Sequence, residues 1–262
     1  RMASLHATRW CPSPVWRALQ SSLLLAGMAA AGAEPIQAFS TASEGQPPAP
    51  WKVQGFPGSG SKPVSQFELV LLDGERVLRV IADKSYGTLQ HELPGLQIDS
   101  GSSLRWRWRL DQALRNADLH YRSGDDSPVK VCALFDLDPG KLGFFERSFF
   151  LAARRFSAQY LPAATLCYVW DHQLPAGTEL PNAFSSRMRY LVLNSGDAQL
   201  GAWVPHERDL AADFLRVFGD DTDRVPPLIG LAIGADADNT GGSSLAYVGD
   251  VVLQMAPPSA KP

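Results

Sequence analysis

From Leu104 to Leu110 the chain reads Leu-Arg-Trp-Arg-Trp-Arg-Leu, a strict alternation of apolar and cationic residues. Successive side chains of a β-strand point to opposite faces, whereas a helix would scatter this pattern around its circumference. Leu104, Trp106, Trp108 and Leu110 therefore share one side, and Arg105, Arg107 and Arg109 share the other. Such a strand belongs to a sheet with one face to bury. Its opposite face is cationic and needs an anionic partner.

The same texture recurs along the chain. Phe67–Leu72, Arg76–Ala82, Thr88–Leu93, Val129–Phe135, Leu166–Trp170, Met188–Asn194, Leu228–Ile233 and Leu245–Leu253 are short runs rich in aliphatic and aromatic residues. The Asp73-Gly74 pair between the first two is a strong hairpin signal. Many short strands bounded by turns predict an all-β fold: a two-sheet antiparallel β-sandwich of jelly-roll type, galactose-binding or lectin-like, with two peripheral helices. Arg208–Phe218 is one predicted helix, with Leu210, Phe214 and Phe218 on one stripe and Gly219 as its stop. Gly143–Tyr160 is the other, with Phe145, Phe149, Phe156 and Tyr160 at helical spacing and Arg147, Arg154 and Arg155 between them. It suits either an end of the sandwich or a membrane surface.

Arg9 and Arg17 precede the apolar run Leu19–Met28, and Ala31-Gly32-Ala33 follows, the order of a secretory signal peptide. The run is too short to span a bilayer. The expected organisation is a cleaved signal peptide over 1–33, a disordered linker over 34–50, a β-sandwich domain over 51–255 and a tail over 256–262. The expected location is periplasmic or secreted, with no transmembrane segment. Removing residues 1–33 takes away three arginines and no acid, moving the formal net charge from −3 to −6. An acidic chain of this kind is not expected to bind nucleic acid. Cys132 and Cys167 remain, either as a disulfide or as buried thiols.

Taking Val129, Val131, Ala133 and Phe135 as core turns Lys130 outward. Taking Met188, Tyr190 and Val192 as core turns Arg189 outward. One face would then carry Arg105, Arg107, Arg109, Lys130 and Arg189. Either Asp111, Asp125, Asp126 and Asp136 neutralise it, or Arg107, Arg109, Lys130 and Arg189 line a groove for an anionic or hydroxyl-rich ligand. Trp170 and Trp203 sit where aromatic rings either stack on sugars or pack at a rim. Asp236, Asp238 and Asn239 offer three side-chain ligands in a glycine-rich loop, which suits calcium or a plain connection. Asp125 and Asp126 are the candidate catalytic carboxylates, paired with Asp236 or Asp238 as in glycosidases. His91, His120, His172 and His206 form no metal-spaced pair, and neither a nucleophile elbow nor a phosphate-cradling loop is present.

Trp106-Arg107-Trp108, Asp125–Val131, Leu166–Trp170 and Ile233–Thr240, in that order, resemble an exported bacterial family catalogued only as a domain of unknown function. The likeness runs from about Trp51 to Leu253. Ala246–Leu253 also resembles the last strand of jelly-roll carbohydrate-binding modules, which implies the fold. Gly249 stands where such modules often carry a second acid. The resulting expectation is a protein that binds a glycan or other polyhydroxylated ligand, neutral or anionic. Its alternatives are a polysaccharide hydrolase or lyase with an Asp–Arg site, and a cell-envelope scaffold that meets a protein partner.

Overall fold

The computed structural model describes residues 33–34, 36–55, 62–137 and 163–256. Fourteen strands are seen among them. The first sheet holds β1 (Ala33–Glu34), β3 (Gln66–Leu72), β4 (Glu75–Asp83), β6 (Ser103–Gln112), β11 (Val204–Asp209), β13 (Ser243–Val248) and β14 (Val252–Gln254). The second holds β2 (Lys52–Gln54), β5 (Tyr86–Leu96), β7 (Ser127–Phe135), β8 (Ala164–Asp171), β9 (Glu179–Pro181), β10 (Met188–Ser195) and β12 (Leu228–Asp236). The chain crosses repeatedly between them, and the result is the expected jelly-roll β-sandwich. One pairing is parallel, β10 with β8.

β6 is the keystone of the first sheet. Trp108 pairs with Val248 of β13 and Val204 of β11, and Arg105 pairs with Val252 of β14 and Glu207 of β11. β13 and β14 thus run end to end along one edge of β6, and β11 covers the other. The Asp73-Gly74 hairpin joins β3 to β4 as anticipated, with both residues at positive φ, 54° and 82°.

The inner face of β6 forms the core. Leu104, Trp106, Trp108 and Leu110 are buried against Val129, Val131, Ala133 and Phe135 of β7. Trp106 lies 5.1 Å from Tyr168 and Trp108 lies 6.3 Å from Trp170, contacts that join the two sheets. A second cluster covers the outer face of the second sheet, where Cys132, Leu134, Cys167, Val169, Leu180, Tyr190 and Val192 pack with Leu119. Cys132 and Cys167 are directly opposed on β7 and β8 and form a disulfide.

Helix α1 (Leu210–Phe218) is the expected amphipathic helix, with Leu210, Phe214 and Phe218 all in the core. Asp209 caps it by accepting from the Ala212 amide at 2.9 Å. Gly219 ends it in a right-handed conformation, and a Cβ there would lie 2.4 Å from the Leu215 carbonyl oxygen. Close approach, rather than positive φ, demands this glycine. The second predicted helix, Gly143–Tyr160, falls outside the described residues. No described helix is long and apolar enough to cross a membrane.

Two expectations need correction. Residues 36–50, read as a solvated linker, are packed on the sandwich. Phe39 is fully buried, Gly45 bridges to Leu69, and the Trp51 indole donates to the Gln37 carbonyl at 2.8 Å. An isolated Phe among polar residues carries no periodicity, which is why the segment read as loop. On β10 the core-facing residue is Leu191, whereas Tyr190 and Val192 are buried on the outer side of the sheet.

Candidate ligand groove on the first sheet

Register assigns the outward side chains of the first sheet. Arg105 on β6 lies opposite Glu207 on β11. The next row is Val77, Gly249, Arg107 and Pro205, where the Gly249 amide donates to the Arg107 carbonyl at 2.9 Å. β13 gives way to β14 over residues 249–251. At that break a groove of about 580 Å³ opens, lined by Glu75, Arg76, Arg105, Arg107, Glu207 and Gly249 among others.

Arg107 is one of its lining residues. A Cβ on Gly249 would lie 3.0 Å from the Arg107 Cγ and 3.1 Å from its Nε, so the glycine makes room for the side chain. The guanidinium stacks over the Trp203 ring at 4.6 Å and is ion-paired with Glu75. Arg109 pairs with Asp111 at 2.7 Å and with Asp73 at 3.3 Å, and the Asp111 hydrogen bond raises its pKa. The Trp203 indole donates to Asp73 at 3.3 Å. Arg105 donates to the neutral Gln254 amide at 2.7 Å. The cationic face is therefore both a groove and partly neutralised from within. Of the four acids expected to pair with it Asp111 does so, Asp125 and Asp126 are engaged elsewhere, and Asp73 and Glu75 of the hairpin are further partners.

Lys130 and Arg189 are not on this face. Arg189 lies under the end of α1, donating to the Val217 carbonyl, pairing with Asp220 and Asp221, and stacking on Phe218 at 4.5 Å. It is a helix C-cap. Asp220 is pulled below its ordinary pKa by that arginine. Trp170 is also corrected: it is 1% exposed and donates to the Gly196 carbonyl at 3.1 Å, so no ligand can stack on it.

Lys130 sits on the outer face of the second sheet, fully buried, with its Nζ 2.7 Å from Asp236. A Cβ on Gly234 would lie 2.9 Å from the lysine Cε, so this glycine accommodates the lysine stem. Burial pulls the ammonium down, but Asp236, Tyr190 and Tyr86 more than reverse that and leave its pKa above the ordinary value. Asp236 is pushed up to about 6 by burial despite the lysine, and burial also raises Asp125, Tyr86 and Tyr190.

The two acidic loops flagged in the sequence do meet here, but their oxygens are engaged internally. Asp125 accepts from Tyr190 at 3.1 Å and from Asn182. Asp126 accepts from the amides of Asn239 and Thr240 at 3.1 and 2.7 Å and from the Thr240 hydroxyl at 2.6 Å. Asp236 also accepts from the Ser127 amide at 2.8 Å, and Asp238 pairs with Lys62. Asp236, Asp238 and Asn239 do not suit calcium, since an ammonium group already contacts each carboxylate. Among the described residues no group of His, Cys, Asp and Glu is arranged to hold a metal. Asp125 and Asp126, 4% and 1% exposed, serve as a lock between two loops and not as an accessible acid–base pair.

His206 belongs to no motif in the sequence, yet it borders the groove. Its ring lies 5.2 Å from Trp106 and 5.0 Å from Trp108, and its Nε2 pairs with the Asn194 Oδ1 at 2.8 Å. The same oxygen accepts from the Trp108 indole at 2.8 Å. Burial pushes the His206 pKa down to about 4. Because the folded value lies below the ordinary 6.5, the unfolded chain takes up the proton first, and stability falls as pH drops from about 6.5 towards 4. Allowing for its partial exposure, the expected loss is about 2 kcal/mol. Urea melts from pH 7 to 4.5 should show that slope in the wild type and a shallower one in His206→Gln.

A family model described as "Protein of unknown function (DUF3047)" matches residues 49–252. No curated protein matches the chain in sequence. Among solved structures, the family 11 carbohydrate-binding module of the cellulosomal cellulase Lic26A-Cel5E of Clostridium thermocellum is similar at 10% identity and a TM-score of 0.39, covering 87% of this chain and 97% of that one. Endoglucanase 3 of family GH12 from Trichoderma harzianum is similar at 11% identity and a TM-score of 0.41, covering 80% and 100%. The adhesin domain of Lys-gingipain from Porphyromonas gingivalis W83 is similar at 11% identity and a TM-score of 0.37, covering 84% and 96%. Similarity at this level says nothing of what this chain binds.

Proposed function

Because the chain belongs to the DUF3047 family of proteins of unknown function, its role has to be read from its own surface, and we propose that it is an exported glycan-binding protein whose ligand lies in the groove over Arg107. The observation that carries this reading is the groove itself, about 580 Å³ on a sheet face, with arginine and carboxylate side chains along its floor. Sugars present hydroxyls that take both donors and acceptors, and Arg105, Arg107, Glu75 and Glu207 supply both. Trp203, half-buried beside the groove, holds the Arg107 guanidinium by stacking. The Cys132–Cys167 disulfide accords with an oxidising compartment, as does the Arg9–Ala33 leader pattern.

Glycan-array screening followed by calorimetry tests the binding. Arg107→Ala and Trp203→Ala should each weaken the best oligosaccharide at least about tenfold, or about 1.4 kcal/mol, with little change in melting temperature. An array without hits, or affinities unchanged in both variants, refutes the reading. Osmotic-shock fractionation of the host tests the location, and retention of the protein in the cytosol would refute export.

A further inference from the structure

We propose that the groove selects saccharides bearing a carboxylate, and that Glu75 is an internal stand-in which such a uronic acid displaces from Arg107. The proposal rests on the glycan-binding reading above. In the Arg107–Glu75 pair the cation is fixed and the anion is not. Arg107 is held over Gly249 and against Trp203, whereas Glu75 is the first residue of β4, directly after the hairpin turn, with 61% of its side chain exposed. A carboxylate so exposed can turn into solvent, and exposed pairs of this type contribute little net stability. The seat it leaves presents a planar forked donor, which matches another carboxylate better than a hydroxyl.

Besides Glu75 the groove holds two acids: Glu207 lies opposite Arg105 on the neighbouring strand and accepts from the Ser103 hydroxyl at 3.2 Å, and Asp250 is engaged elsewhere. The Arg76 Nε is buried without a hydrogen bond among the described residues, and Arg105 donates to the neutral Gln254. Asp250, the acid at the rim, is committed to the Phe39 and Ser40 amides at 2.7 and 3.0 Å and to the Ser40 hydroxyl. His206 stays neutral at pH 7, its pKa being about 4. An incoming uronate would exchange for Glu75 at Arg107 and draw on Arg76 and Arg105 as well.

Calorimetry with oligomers of galacturonate, glucuronate and mannuronate, and with their carboxyl-reduced neutral forms, tests this. Glu75→Gln should tighten a uronate oligomer at least about fivefold, because the competitor is gone. The neutral form should stay within about twofold, and Arg107→Ala should abolish uronate binding. An unchanged or weaker uronate affinity in Glu75→Gln overturns the proposal, as does a sulfated oligosaccharide that outbinds every uronate. If neutral oligomers bind wild type as tightly as uronates and lose affinity in Arg107→Ala, the glycan reading stands and the carboxylate preference falls. If no oligomer binds wild type or Glu75→Gln, both fall.

Discussion

Lys130→Met should destabilise the protein by about 3–5 kcal/mol in urea denaturation at pH 8, the largest effect expected of any single replacement here. Its ammonium is the only cation in contact with the buried Asp236 among the described residues, and Asp125 and Asp126 add negative charge nearby. Removing it strands a carboxylate in a site from which water is excluded. The penalty should depend on pH in a defined direction. Asp236 already titrates near 6, and without the lysine its pKa rises further. At pH 5 the orphaned carboxyl takes up a proton and the penalty shrinks, whereas at pH 8 it persists. Combining Lys130→Met with Asp236→Leu should recover most of the loss, since a buried ion pair replaced by apolar groups is often neutral. A single variant as stable as wild type at pH 8 would show that water reaches Asp236.

The next largest effect is expected from the disulfide. Cys132 and Cys167 are 35 residues apart in sequence and face each other across the two most buried strands of the second sheet. Closing a loop of this length restricts the unfolded chain, and losing the bond should cost about 2–5 kcal/mol. The double Cys→Ala variant should melt correspondingly lower and become insensitive to dithiothreitol, whereas wild type in reductant should approach the variant. Equal melting temperatures with and without reductant in wild type would mean that the bond contributes nothing. The two cysteines are 3% and 0% exposed, so reduction requires the strands to part first.

Local features were readable from the chain. Alternation turns the tryptophans of the Arg-Trp-Arg-Trp-Arg strand inward, the Asp73-Gly74 pair marks the turn, and apolar spacing marks the stripe on α1. Each depends on spacing within a few residues. The site was less legible because alternation assigns a side chain to one side of its own strand but cannot tell which sheet that strand joins. Lys130 points away from the core as read. β7, however, is in the opposite sheet from β6, so its outward side is the far side of the sandwich. Arg189 failed for a different reason. Tyr190 and Val192 are apolar and buried, but under covering loops, which inverted the assignment of inside and outside along β10. Glu75 and Gly249 meet Arg107 across strands 32 and 142 residues away, and no pattern within either segment announces that contact.

The Asp250 clamp has a consequence for the order in which the molecule can be completed. It joins residues 39 and 40 to a side chain more than 200 positions later, and β14 closes along β6 only when residues 252–254 are present. The first sheet and its groove therefore share one closing step, which waits on residues 250–254. Contacts of such long sequence separation are entropically slow to form. A chain truncated just before Asp250 would retain Trp106, Trp108 and most of β13. It would lack the seam that joins residues 39 and 40 to Asp250, and with it the rim of the groove.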